Sequence, residues 1–164
     1  MKSRVNSRRI VLALVILVLL AAVPSSLRYA YQHGGFYLFS NAFWEDLPKR
    51  LKGPGRFRFV LQPLVAIFLG TRAGRADARA GKRPYILGLF VEHGQRLVML
   101  KEALAELSTL IAVAILLDAL SQFLILHQVF PGPALIVGPV LISVPYGLSR
   151  ALSNRVTRSK HQQR

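Results

Sequence analysis

Residues 107–127 read LSTLIAVAILLDALSQFLILH, an apolar run interrupted only by Asp118, Gln122 and a few hydroxyls. As a helix this stretch rises about 30 Å, the thickness of a bilayer's hydrocarbon core. A soluble domain of 164 residues can bury a core. It does not gather its apolar residues into unbroken runs with the charges set between them. That segregation marks a membrane protein.

Working outward, three further runs fit the same reading. Ile10 to Val23 is uninterrupted and apolar, after a start holding Lys2, Arg4, Arg8 and Arg9. A basic start and a short apolar run also describe a cleaved signal peptide. No small-x-small cleavage pattern follows, and the run leads into Pro24-Ser25-Ser26-Leu27. An uncleaved anchor over 10–27 is therefore expected. Pro133 to Leu148 gives another span, with Pro133 suited to a helix's first turn and Pro139 and Pro145 expected to kink it. Phe59 to Thr71 is shorter, about 20 Å as a helix. It spans only by reaching back over Phe57 with Arg56 and Arg58 turned outward, or else it is re-entrant.

Between the runs lie an outer loop (28–56), a basic inner segment (72–106) and a basic tail (149–164). Seven aromatic residues between Tyr29 and Trp44 suit the headgroup zone. Ile86, Phe90, Leu97, Leu100, Leu104 and Leu107 recur at helical spacing, which predicts an amphipathic interfacial helix over 85–105. The fold class expected is an all-α integral membrane protein. It has one membrane domain, four transmembrane helices (10–27, 57–71, 107–127, 133–148) and one interfacial helix.

Charge sets the orientation. Lys and Arg number 4 in the N-terminal tail, 6 over 28–58, 7 over 72–106, none over 128–132 and 5 in the C-terminal tail. Four spans with the N-terminus inside place 16 of these in the cytoplasm and 6 outside. If the second segment fails to cross, the split becomes 4 inside and 18 outside, which the positive-inside bias rejects. Both termini are thus expected in the cytoplasm. Arginine outnumbers lysine 16 to 6, a GC-rich bacterial pattern, so the expected site is a bacterial inner membrane.

The net charge of +15 would in a soluble chain point to nucleic acid. Here lipid phosphate is the nearer partner, and no nucleic acid is expected. With no cysteine, thiolate zinc sites, iron–sulfur clusters, disulfides and cysteine nucleophiles are excluded. His33, His93, His127 and His161 lack metal-ligand spacing, and no G-x-S-x-G or H-E-x-x-H occurs. No metal, cofactor or catalytic residue is expected.

Asp118 is the most informative residue. An intramembrane carboxylate is costly unless it faces protein or water, and Gln122 follows it at i+4 on the same face. Three readings stay open: a protonation or cation site, a neutral acid bonded to a neighbouring helix, or a socket for a partner's polar group. Gln62 and Tyr146 are the candidate partners within the chain. No counter-charge lies inside a span, so a neutral Asp118 is expected from desolvation.

Arg72, Arg75, Arg79, Lys82 and Arg83 sit in a segment whose spacing misses the phosphate-loop pattern. They are candidates for contact with anionic lipid headgroups, or simply hold the segment inside. Asp77 is expected to pair with Arg72 or Arg79. Ala66/Gly70 and Ser143/Gly147 are small-residue pairs suited to helix contacts.

Four spans, one intramembrane acid and short soluble segments lead to a non-enzymatic accessory or subunit protein that acts through a membrane partner or as a homo-oligomer. The alternative is a small oligomeric channel or proton-coupled transporter using Asp118. A lipid-modifying enzyme comes third.

Overall fold

In hydrocarbon no water pairs with the backbone, so an apolar run must satisfy its own N–H and C=O groups by coiling. The computed structural model describes residues 2–81, 94 and 96–162, and every element in it is helical. These are α1 (Lys2–His33), a 3-10 turn (Tyr37–Phe39), α2 (Asn41–Lys52), α3 (Arg58–Arg79), α4 (Arg96–Leu126) and α5 (Pro131–Gln162). Three helical stretches are long and apolar enough to cross a membrane: Arg8–His33, Leu97–Leu126 and Pro131–Ser159. Large side chains such as Ile16, Leu17, Leu20, Leu120 and Val144 are exposed along them. In water that surface would drive aggregation, whereas in a bilayer it meets acyl chains.

The helices outrun the boundaries expected from the sequence. Pro24 does not end the first one, which continues to His33. Pro63, Pro139 and Pro145 likewise sit inside α3 and α5. A proline forfeits one backbone bond, which costs less than abandoning all the bonds beyond it where no water replaces them. The outer loop over 28–56 contains α2, an unexpected helix. Residues 72–79 belong to α3, not to a loop. Residues 96–105 are the first turns of α4, continuous with the third span, so this half of the expected interfacial helix is not separate. Residues 85–93 and 95 lie outside the described residues. The basic tail is helical to Gln162.

The chain forms two compact units. The first comprises Met1–Val60 and Thr109–Val140. In it Val11, Val15 and Leu19, one stripe of α1, pack on Ala112 and Ile115 of α4 and Ala134 of α5. Further along, His33 and His127 line one cavity. Residue numbers rise together on α1 and α4, so the two helices run in the same direction. α5 runs against α4: Gln122 meets Phe130, and a Cβ on Gly138 would stand 3.0 Å from Ala114. The aromatic segment is partly core. Tyr37 stacks on Phe130 at 4.0 Å, with Tyr29 and Phe43 edge-on to Tyr37, while Tyr31, Phe36, Phe39 and Trp44 are exposed. Tyr37 donates to Asp46 at 2.8 Å. Burial, then the Asp46 bond, pushes the Tyr37 hydroxyl well above its ordinary pKa. Lys49 also pairs with Asp46, which raises the ammonium's pKa.

The second unit comprises Leu61–Ser108 and Leu141–Arg164. Here α3 lies against α5 through glycines. A Cβ on Gly70 would collide with Ser149 and the Tyr146 backbone, and one on Gly74 with the Arg150 backbone. Contacts advance together on both helices, so α3 and α5 run parallel. Gly70 is thus at a helix contact as expected. Ser143 and Gly147 are not: Ser143 is exposed, and a Cβ on Gly147 would meet nothing.

Candidate functional site

A carboxylate in an apolar helix must find donors, and the chain brings them from an unexpected place. α2 ends at Lys52 and a turn follows, with Arg56 N–H donating to Gly53 O and Arg58 N–H to Gly55 O. Gly55 sits at φ +83°, a conformation costly for any residue with a Cβ. The turn lies directly on α4. Pro54 O accepts a hydrogen bond from Ser121 at 3.3 Å, and a Cβ on Gly53 would stand 3.1 Å from Ile125. Arg50 before the turn and Arg58 after it are thereby aimed at the same point.

That point is Asp118. Nη2 of Arg50 donates to both carboxylate oxygens at 2.7 Å. Nη1 of Arg58 donates to Oδ1, and Nε2 of Gln122 to Oδ2 at 2.7 Å. Asp118, Arg50 and Gln122 are 0% exposed and Arg58 1%. Both oxygens accept and no neighbour accepts in return, which is the pattern of an ionised carboxylate. The neutral Asp118 expected from the sequence is corrected on this point. Its premise was that no counter-charge reaches it, yet two arginines do, one from α2 and one from the first residue of α3. Gln122 completes the join by accepting from the Phe130 backbone N–H at 2.8 Å, tying the start of α5 to α4.

Two arginines against one aspartate leave a net +1 in a buried site. Nε and Nη1 of Arg50, and Nε and Nη2 of Arg58, have no hydrogen-bond partner among the described residues. The Arg58 guanidinium lies over the Phe59 ring at 4.6 Å, which offsets part of its desolvation.

Neither sequence-derived partner of Asp118 bonds to it. The amide of Gln62 is buried and makes no hydrogen bond among the described residues. Tyr146 donates to Glu106 at 2.7 Å and accepts from Arg150 at 3.0 Å. Arg150 in turn forks onto Asp77 at 2.6 and 3.1 Å. Asp77 therefore pairs with α5 and not with Arg72 or Arg79, its neighbours on α3. These last two, with Arg75, Phe68, Thr71 and Ala76, line a surface cavity of about 490 Å³. Lys82 and Arg83 lie outside the described residues.

No family model, curated protein or solved structure matches this chain. The arrangement must therefore be judged on its chemistry. Among the described residues no group of three His, Asp or Glu side chains is placed to hold a metal. What the Asp118 cluster can do is fasten: one carboxylate joins α2, α3 and α4, and its i+4 neighbour fastens α5. Arg50 and Arg58 were the residues missed from sequence. The available signal was Asp118 itself, because a buried acid demands a cation from somewhere in the chain.

Proposed function

We propose that the chain is a non-enzymatic, four-span inner-membrane protein that acts through partners, as an accessory or subunit, with the Asp118 cluster as its internal clamp. The observation that carries the reading is the closure of that cluster. Both oxygens of the one mid-span acid are filled by Arg50, Arg58 and Gln122, and all four residues are buried. An acid committed to three donors is poorly placed to carry protons or cations, which weighs against the transporter alternative.

Two observations support the fourth span. α1 and α4 run in the same direction, so if both cross, the chain between them must return. Only α3 is available among the described residues, and it runs parallel to α5. Its shortness also has a physical account. The turn before it touches Ser121, five residues and about 8 Å from the end of α4. A helix starting there has about 22 Å of hydrocarbon left to cross, and the apolar part of α3 provides about 20 Å.

This orientation sets Arg72, Arg75 and Arg79 at the cytoplasmic surface, where anionic headgroups are their partners at about 1 kcal/mol per basic residue. Changing all three to Gln is expected to reduce retention of anionic lipid, read by native mass spectrometry. Unchanged retention with topology preserved removes this contact.

The absence of cysteine makes topology simple to test. Single cysteines at Gly35 and Gln128 are expected to label from outside, and those at Gly81 and Ser159 from inside. Function is tested by gentle extraction at native expression and native mass spectrometry. A second protein at fixed stoichiometry supports the subunit reading. A homo-oligomer alone, together with flux that Asp118→Asn abolishes in a folded protein, replaces it with the transporter.

A further inference from the structure

A second cavity, of about 550 Å³, opens where α1 and α4 end. Ser25, Arg28, Gln32 and His33 line it from α1, and His127 and Gln128 from the residues after α4. No acid lines it among the described residues, and Arg28 has no ion pair among them. The basic groups facing the space are Arg28, His33 and His127, with Tyr29 the remaining titratable neighbour.

Two features indicate that the histidines are positioned. His127 has φ 52°, the one non-glycine residue with positive φ among those described. A helix commonly ends in this conformation with Gly or Asn, and a histidine there is strained. Such strain gathers where a side chain has work to do. His33 is fixed twice. Its ring stacks on Tyr29 at 4.1 Å, and its Nδ1 stands 3.1 Å from the Tyr29 carbonyl, which a protonated Nδ1 satisfies. With Nδ1 so used, Nε2 is left for the cavity, and it donates once the ring is protonated.

We infer that this cavity binds a phosphate-type oxyanion, with Arg28 as the fixed cation and protonated His33 and His127 as donors. The amides of Gln32 and Gln128 and the Ser25 hydroxyl supply neutral donors around them. A tetrahedral oxyanion uses several converging donors at once, and the volume leaves room for what it is attached to. The phosphate arrives either on a lipid headgroup or free in solution.

The test uses the full chain, labelled with ¹⁵N-histidine, in nanodiscs of zwitterionic lipid. Saturable shifts of two imidazoles on titration with inorganic phosphate identify a site for free phosphate. Saturable shifts only when phosphatidylglycerol is added to the nanodisc identify a lipid headgroup. In either case Arg28→Gln and His127→Gly are expected to weaken binding at least tenfold. His127→Gly also relieves the positive φ, so its melting temperature should hold or rise, separating lost binding from lost fold. Absence of saturable shifts with both probes, or affinities unchanged in both variants, overturns the assignment.

Discussion

Replacing Asp118 with Asn tests whether the buried trio is a clamp. The native trio carries a net +1; Asp118→Asn raises it to +2 inside the protein. Asparagine keeps one acceptor oxygen where the carboxylate offered two, and its amide N–H groups would face the donors of Arg50, Arg58 and Gln122. Removing one partner from a buried pair costs about 3–5 kcal/mol, largely from the charge left behind. That corresponds to roughly a 150- to 5,000-fold loss in the folding equilibrium. The arginines should behave differently. Arg50→Gln or Arg58→Gln leaves one cation against one anion, a neutral pair, at a cost of about 1–3 kcal/mol for the bonds lost. Asp118→Asn should thus be the worst of the three. An apolar triple variant (Asp118→Leu, Arg50→Met, Arg58→Met) should recover most of the loss, since uncharged residues of similar volume replace a buried ion cluster without penalty. The assay is reversible unfolding in mixed micelles, followed by circular dichroism. Asp118→Asn falling within about 0.5 kcal/mol of the parent would refute the clamp, as would an arginine variant that costs more. The transporter alternative makes the opposite demand, because it needs Asp118→Asn to fold normally and lose flux.

Gly74→Ala should lower the melting temperature. A helix-interior alanine normally gains about 1 kcal/mol, but here its Cβ meets the Arg150 backbone, which cannot swing aside, so overpacking of about 1–3 kcal/mol wins. Tyr146→Phe removes the hydroxyl between Glu106 and Arg150 and should cost about 1–2 kcal/mol by the same unfolding assay; a neutral result would mean that Glu106 and Arg150 re-pair directly. Tyr37 should resist alkaline titration. Its folded pKa is raised, so its contribution to stability is complete below the unfolded value of 10.0 and is lost as pH rises beyond it. Ultraviolet absorbance at alkaline pH, compared between parent and Tyr37→Phe, should show one fewer late-ionising tyrosine in the variant.

Helical class and the three apolar spans were legible because hydropathy is a local property: Ile10–Val23 and Leu107–Leu126 need no partner to be recognised. Helix ends were not, because the usual breakers act differently in lipid. Pro24 and Pro145 stop nothing where an open backbone is worse than a bent one. The significance of Asp118 was legible from its cost alone, and Gln122 from the helical period. Its counter-ions were not. Arg50 lies 68 residues away and Arg58 60, on the far sides of a turn whose docking depends on Gly53, Gly55 and Ser121 at once. Read locally, both are ordinary basic residues near a membrane surface. Asp77 misled for the same reason, since near neighbours Arg72 and Arg79 were preferred to Arg150 on another helix.

The order of events during assembly follows from where these charges begin. Positive-inside sorting counts Lys and Arg as each segment inserts, before tertiary contacts exist. At that stage Arg50 and Arg58 belong to the six cations of the segment over 28–58, which the proposed four-span arrangement sets against 16 on the other side. Their pairing with Asp118 must wait until α4 is in place, because α4 follows them in the chain. The clamp is therefore a product of packing and contributes nothing to orientation. Asp118→Asn should leave the labelling pattern of single cysteines at Gly35, Gly81, Gln128 and Ser159 unchanged. It should nonetheless render the 53–57 turn open to protease, since the ion cluster that fastens Arg50 and Arg58 beside it is gone. An inverted labelling pattern in that variant would mean that Asp118 acts during insertion. The buried trio would then be a topogenic device, with the packing a consequence.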